Sequence, residues 1–130
     1  WVSAADTESW ALLATGPWEK SACSDPELKR RLADYNGVGW YAQSVVVPAA
    51  WKGKAIHLYV GALDEAGHIF LNGRLVAERR YEHPDDWLLP FAVRLDEAVD
   101  WQRAEQELRV RVRDDRGQGG IWKPAWIAAD

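Results

Sequence analysis

The chain has 130 residues, a net charge of −4, and 48% hydrophobic against 28% charged residues. That length fits one compact domain with one core, and the ordinary composition excludes a disordered or fibrous chain. The acidic balance gives no electrostatic reason to expect nucleic acid or an anionic membrane as a partner. The longest apolar run, residues 45–51, falls well short of the roughly 18 residues that a membrane-spanning helix needs.

The only cysteine is Cys23, so neither a disulfide framework nor a cysteine-based zinc site is expected. The sequence starts at Trp1 without a methionine or a basic and apolar leader, which favours an excised domain or a processed protein. No motif fixes the compartment, and a secreted or periplasmic location is our working expectation. Nine tryptophans are more than one small core readily encloses, so we expect some to reach the surface.

The first half of the chain predicts little helix and the start of a sheet. Residues 25–32 begin acidic, place Pro26 early and end basic, which predicts about one or two helical turns. Residues 40–47 read as a strand that stops at Pro48, because proline cannot donate to a sheet ladder. Residues 56–60 alternate apolar and polar side chains, as in a strand with one buried face.

The second half continues the alternation. Asn72 and Gly73 separate two apolar runs and predict a type I′ hairpin turn. Residues 91–95 alternate again, and residues 96–101 can form a short turn. In residues 108–113 three apolar side chains alternate with three arginines, which predicts arginines on a solvent-exposed face. Together, about six or seven short strands predict an all-β sandwich, with residues 1–130 as a single domain.

Catalytic motifs do not emerge from the sequence. It holds no Gly-x-Ser-x-Gly elbow, His-Glu-x-x-His pair or phosphate-binding Gly-x-x-x-x-Gly-Lys loop. The three histidines, His57, His68 and His83, are too dispersed to indicate a metal site. Glycoside hydrolysis needs two carboxylates that face each other across the bond. Adjacent pairs such as 85/86 or 114/115 would point to opposite faces of a strand, so we predict no catalytic residue and no independent enzyme.

Six short motifs carry a family resemblance when they are read in order. They are Gly16-Pro17-Trp18-Glu19, Gly39-Trp40-Tyr41, Val47-Pro48-Ala49-Ala50-Trp51-Lys52-Gly53-Lys54, Ile69-Phe70-Leu71-Asn72-Gly73, Leu89-Pro90-Phe91 and Gly119-Gly120-Ile121-Trp122-Lys123-Pro124. From about Trp10 to Ile127 the chain resembles the N-terminal sugar-binding domain of glycoside hydrolase family 2, which includes β-galactosidases, β-glucuronidases and β-mannosidases. One departure is the segment Asp85-Asp86-Trp87-Leu88-Leu89, where relatives often carry a Gly-Gly-aromatic step.

The resemblance implies a jelly-roll β-sandwich of the galactose-binding-domain-like type. It also implies a larger glycosidase-like chain whose remaining domains are partners, with both catalytic glutamates on a barrel that these 130 residues do not contain. In family members an acidic segment before the Gly-Gly-Ile step reaches toward the sugar, which here would be Asp114 or Asp115. Sandwiches of this kind often hold a structural calcium on loop oxygens, but the sequence shows no ligand set, and we predict no cofactor.

Carbohydrate is the partner that the residues favour. A pyranose has an apolar C–H face and a rim of hydroxyls, so its site needs an exposed aromatic ring beside polar side chains. Residues 81–87 and 114–122 offer both and should form loops at strand ends. The predicted carbohydrate-binding residues are Tyr81, His83, Asp85, Trp87, Asp114, Asp115, Arg116, Gln118 and Trp122.

Each of these segments also has a purely structural interpretation. Trp87 can cap the sandwich edge, while Asp114 and Asp115 can end a strand and begin a turn. For Trp122 we favour an interface role, because a domain cut from a larger chain exposes the aromatic side chain that packed on its neighbour. The alternative to sugar binding is therefore a structural or interaction domain, which packs on a barrel or makes oligomer contacts.

Overall fold

A computed structural model describes residues 10–130, so Trp1 lies outside the described residues. Within this range the chain forms one α-helix, three short 3-10 turns and seven strands. The helix is α1 (Pro26–Leu32), and the 3-10 turns are Ala49–Trp51, Asp86–Leu88 and Asp96–Ala98. The strands are β1 (Gly37–Val45), β2 (Ile56–Ala62), β3 (Ala66–Leu71), β4 (Arg74–Arg79), β5 (Phe91–Arg94), β6 (Gln106–Asp114) and β7 (Lys123–Ala129).

The strands form two antiparallel sheets. The larger sheet has the order β1-β6-β3-β4, and the smaller one has the order β5-β2-β7. Their inner faces bury the alternating apolar residues that the sequence indicated, among them Leu58 and Val60 from β2 and Val110 and Val112 from β6. Each such side chain contributes about 1.5–3 kcal/mol by leaving water. The predicted all-β sandwich is confirmed.

Two local predictions are also confirmed. Helix α1 starts where Asp25 Oδ1 accepts hydrogen bonds from the backbone N–H groups of Glu27 and Leu28, at 2.9 and 3.2 Å. The hairpin between β3 and β4 turns at Asn72 and Gly73, with φ of 51° and 79°, as a type I′ turn requires. Helix α1 is too short and too polar to cross a membrane, and no other helix in residues 10–130 could do so.

The prediction of three solvent-exposed arginines on β6 is wrong for Arg109. Its side chain is only 3% exposed, pairs with Glu107 at 2.8 Å and lies 5.9 Å from the centre of the Trp10 ring. The Trp10 ring thus lies against Arg109 on the outer face of the sheet, and the alternating pattern of β6 does not indicate such a contact. Trp10 and Trp40 themselves are more than a third exposed, and are thus among the tryptophans that reach the surface.

Candidate functional site

Three loops meet at one end of the sandwich and enclose a shallow cavity of about 290 Å³. They are residues 80–90 between β4 and β5, residues 115–122 between β6 and β7, and the short turn 63–65 between β2 and β3. The cavity is lined by Asp64, Glu65, Tyr81, Trp87, Arg116, Gly117 and Gln118. Aromatic faces, a guanidinium, an amide and carboxylates therefore face one small volume.

The buried carboxylate of Asp86 organises the 80–90 loop. Its Oδ2 accepts hydrogen bonds from the backbone N–H groups of Glu82 and His83, at 2.8 and 2.9 Å. These bonds favour the charged form and lower the pKa of Asp86, with Arg79 3.4 Å away adding to the effect. The Tyr81 hydroxyl donates to the carbonyl of Pro84 at 2.8 Å, which fixes the ring at the cavity edge.

Trp87 and Trp122 support each other. Their ring centres lie 5.5 Å apart at 36°, and Trp122 Nε1 donates to the Trp87 carbonyl at 2.8 Å. Lys123 Nζ lies 4.6 Å from the centre of the Trp122 ring, a cation–π distance. Trp87 remains 40% exposed toward the cavity, whereas Trp122 is half-buried and outside the lining. Trp122 thus holds Trp87 in place.

The 115–122 loop contains glycines where its backbone packs against the Trp18 side chain. This side chain is fully buried, and its Nε1 donates to the Tyr41 hydroxyl at 2.6 Å. A Cβ atom at Gly119 would overlap the Trp18 ring, and one at Gly120 would come within 2.8 Å of Trp18 Nε1. The Trp18 N–H also donates to the Gly119 carbonyl at 3.0 Å. The loop backbone therefore lies directly on the indole, where only glycine fits.

A cluster of three carboxylates lies beside the cavity. Oxygens of Asp64, Glu65 and Asp114 fall within 4.8 Å of one another. Burial raises the pKa of Asp64 to about 7, and the charges of Asp114 and Glu65, a hydrogen bond with the Asp114 carboxyl and the charge of Glu19 add to the effect. Burial also raises the pKa of Asp114. The cluster is therefore only partly ionised at neutral pH unless something compensates its charge.

The structure brings four of the nine predicted site residues into one lining: Tyr81, Trp87, Arg116 and Gln118. His83 and Asp85 are exposed in the same loop but outside this lining. Asp115 is exposed, pairs with Arg113 at 2.8 Å and lines an adjoining cavity of about 560 Å³.

Asp114 does not reach the cavity surface. It is the last residue of β6, it points inward, and it is fully buried. Asp64, Glu65 and Asp86 were not among the predicted site residues. The break in alternation after Ala62 marks Asp64 and Glu65 as turn residues, but it does not reveal that this turn lies next to the end of β6.

The architecture and the site together define an all-β sandwich whose candidate site is built by loops at one end. No family model and no curated relative matches the sequence. Among solved structures, the chain is similar to a β-glucuronidase from Bacteroides uniformis, with a TM-score of 0.64 and 24% identity over 73% of this chain and 12% of that chain.

Two further solved structures show the same relation. A Ruminococcus gnavus β-glucuronidase has a TM-score of 0.67 and 16% identity over 77% of this chain and 20% of that one. A glycosyl hydrolase family 2 member from Bacteroides cellulosilyticus has a TM-score of 0.63 and 24% identity over 73% of this chain and 13% of that one. The chain therefore shares its fold with a small part of these enzymes and spans 12–20% of their length.

Proposed function

We propose that this chain is a non-catalytic carbohydrate-binding module of a glycoside hydrolase family 2-type protein. One observation carries the proposal: two loops distant in sequence, each with the residue types that a sugar site needs, contribute to the same cavity. Tyr81 and Trp87 come from residues 80–90, and Arg116 and Gln118 come from residues 115–122. The similarity to part of several such enzymes supports the family assignment.

The chemistry of the cavity suits a weakly held sugar ring. Tyr81 and Trp87 are 38% and 40% exposed and can stack on an apolar C–H face. Arg116 and Gln118 can donate to ring hydroxyls, and Glu65 can accept from them. A volume of about 290 Å³ is at the lower end for small-molecule sites, so we expect one ring to be held with millimolar affinity.

The carboxylates at the site do not form a catalytic pair. A glycosidase needs an acid and a nucleophile or base that both reach the scissile bond. Asp114 is fully buried and Asp64 is 6% exposed, which leaves Glu65 as the accessible member of the cluster. Recognition without bond cleavage is therefore the function that we propose.

Glycan titration tests the proposal. We expect β-linked galactosides, glucuronides or mannosides at millimolar concentration to shift NMR signals of residues 80–90 and 115–122. Trp87→Ala should weaken binding about five- to tenfold, because it removes a stacking contact of roughly 1–1.4 kcal/mol. Trp122→Ala should have a smaller effect, since Trp122 only supports Trp87.

Trp126→Ala is the matched control, because it removes an exposed tryptophan away from the cavity. Trp126 is 54% exposed on β7 and stacks on Tyr59, with ring centres 5.7 Å apart at 14°. Glycan binding should be unchanged in this variant. If no glycan shifts any signal, or if Trp87→Ala leaves the titration as it was, this cavity does not bind sugar.

The same exposed Trp126 favours the second candidate function, that of a structural or interaction domain. Strand β7 is the edge of the smaller sheet, and its stacked pair with Tyr59 is a flat aromatic surface suited to a protein partner. Under this alternative, Trp126→Ala would weaken association with the remaining domains of a glycosidase-like chain, whereas Trp87→Ala would not. Pull-down of both variants with those domains separates the two functions.

A further inference from the structure

We propose that the Asp64 and Asp114 carboxyl groups share one proton, and that this proton holds the 115–122 loop in place beside the cavity. Loss of the proton to solvent in alkaline solution would leave two adjoining carboxylates, which repel each other and loosen the loop. The effect on the loop is independent of any ligand. Only the last step, weaker binding of sugar at high pH, rests on the carbohydrate-binding function proposed above.

The two carboxyl groups come from separate elements. Asp64 belongs to the β2–β3 turn and Asp114 ends β6, yet their oxygens and one of Glu65 lie within 4.8 Å of one another. The Asp64 and Asp114 carboxyls also hydrogen-bond each other. An ionised carboxylate can only accept hydrogen bonds, so this bond requires a proton on one of the two groups. The pair is therefore a carboxylic acid in contact with a carboxylate.

The buried oxygens of the pair indicate the same proton. Asp64 and Asp114 are 6% and 0% exposed, and the Oδ2 atom of each is buried. No N–H or hydroxyl group of residues 10–130 donates to either Oδ2 atom. Buried acceptors are nearly always satisfied in native proteins, and a proton held between two carboxyls supplies the donor that this pair lacks.

The surroundings of the pair favour the protonated form. Burial is the largest effect and raises the pKa of both carboxyls, that of Asp64 to about 7. The charges of Glu65, from the same turn, and of Glu19, from the segment before α1, act in the same direction. The hydrogen bond within the pair raises the pKa of Asp64 and lowers the pKa of Asp114, as expected when Asp64 carries the proton and Asp114 accepts it.

The two arginines nearest to Asp114 in the sequence do not neutralise the pair. The Arg113 side chain is 57% exposed and pairs with Asp115 at 2.8 Å. Arg116 is exposed and lines the cavity, and it reaches Asp114 through its backbone N–H. Neither guanidinium forms an ion pair with Asp64 or Asp114. A shared proton, rather than a cationic side chain, therefore offsets the repulsion between these two carboxyls.

The pair is bonded to both ends of the loop that follows β6. At the start of the loop, Asp114 Oδ1 accepts a hydrogen bond from the Arg116 N–H at 2.9 Å. Near its end, the Gly120 carbonyl accepts a hydrogen bond from the Asp64 N–H at 3.0 Å. The side chains of Arg116 and Gln118, which line the cavity, belong to the segment between these bonds. Repulsion between two carboxylates would separate the β2–β3 turn from the end of β6 and weaken both attachments.

NMR of the 130-residue chain between pH 6 and pH 9 tests the shared proton. The carboxyl carbons of Asp64 and Asp114 should titrate together, because interacting groups lose protons as a pair, and well above the ordinary aspartate pKa of 3.8. Hydrogen-exchange protection of the amides of residues 115–120 should fall about five- to tenfold over this range, after correction for base-catalysed exchange.

Titration with methyl β-galactoside and methyl β-mannoside, which carry no charge, tests the last step. We expect their dissociation constants to increase about five- to tenfold between pH 6 and pH 9. A dissociation constant that is equal at both pH values would overturn control of the site by the proton and leave the carbohydrate-binding function intact. A loop that loosens with pH in a chain that binds no glycan would support the shared proton and contradict the carbohydrate-binding function.

Asp64→Asn separates the effect of the proton from the shape of the side chain. Its amide can donate to Asp114 at every pH, so loop protection and sugar affinity should stay constant from pH 6 to pH 9. Asp64→Ala lacks that donor and should show the loosened loop already at pH 6. Asp34→Asn, an exposed change of equal charge, should keep the pH dependence of the parent chain. If loop protection in the parent chain does not change with pH, or if Asp64→Asn retains the parent's pH dependence, no shared proton holds the loop.

Discussion

Gly120→Ala should lower the free energy of unfolding by about 2–4 kcal/mol. Gly120 has a φ of 109°, a region in which a side chain costs about 1–2 kcal/mol. Its added Cβ would also lie 2.8 Å from Trp18 Nε1 and 2.9 Å from the Tyr41 hydroxyl, and forcing extra atoms into a packed site costs about 1–3 kcal/mol. Urea denaturation of the variant and the parent chain measures the difference.

Alanine substitutions at two neighbouring glycines separate the cost of backbone strain from the cost of steric crowding. Gly117 has a φ of 88° but nothing within 4 Å of an added Cβ, so Gly117→Ala should cost only about 1–2 kcal/mol from backbone strain. Gly119 is not in the left-handed region, yet its Cβ would overlap Trp18, so Gly119→Ala reports crowding alone. Equal losses for Gly117→Ala and Gly120→Ala would mean that contact with Trp18 does not constrain the loop.

Asp64→Asn should stabilise the protein by on the order of 2–3 kcal/mol at pH 8 and change its stability little at pH 4. The folded-state pKa of Asp64 is about 7, above the ordinary 3.8, so the folded chain holds this proton more tightly than the unfolded chain does. A raised pKa gives stability that is fully present below about pH 3.8 and is lost progressively as the pH rises to about 7. A neutral amide removes that loss.

Urea denaturation at pH 4, 6 and 8 measures this effect. The parent chain should lose stability relative to Asp64→Asn across that range, and the difference should level off above pH 7. Asp34→Asn, which changes an exposed carboxylate, should stay within about 0.5 kcal/mol of the parent at each pH. A constant difference between Asp64→Asn and the parent would show that Asp64 does not titrate near neutrality.

Local signals predicted most of the fold. The Asn72-Gly73 turn and the start of α1 depend on backbone preferences that a few adjacent residues determine, and the alternating strands depend on which face is buried. The burial of Arg109 was not predicted, because it depends on residues distant in sequence: Phe70 lies opposite it on β3, and the Trp10 ring lies 5.9 Å from its guanidinium. The alternating pattern of a strand indicates which side chains face the core. It does not indicate which residues from elsewhere in the chain pack on the outer face.

The candidate site was predictable only in part for a similar reason. Tyr81, Trp87, Arg116 and Gln118 stand in segments that leave the alternating pattern, and such segments form loops at strand ends. The acidic cluster depends instead on β3 pairing with β6, which sets Ala66 opposite Arg113 and so brings the β2–β3 turn beside Asp114. The alternation of apolar and polar residues within a strand does not indicate the order of the strands in a sheet. The sequence therefore could not predict that these carboxylates lie close together.

The buried position of Trp18 limits how early this part of the chain can fold during synthesis. Its indole is held by the Tyr41 hydroxyl, which also accepts from the Ile121 N–H, 80 positions further along. During synthesis the first part of the chain therefore emerges long before the segment that covers Trp18, and contacts of such wide sequence separation form late. Until residues 119–121 leave the ribosome, the nascent chain cannot bury the Trp18 indole as the folded protein does.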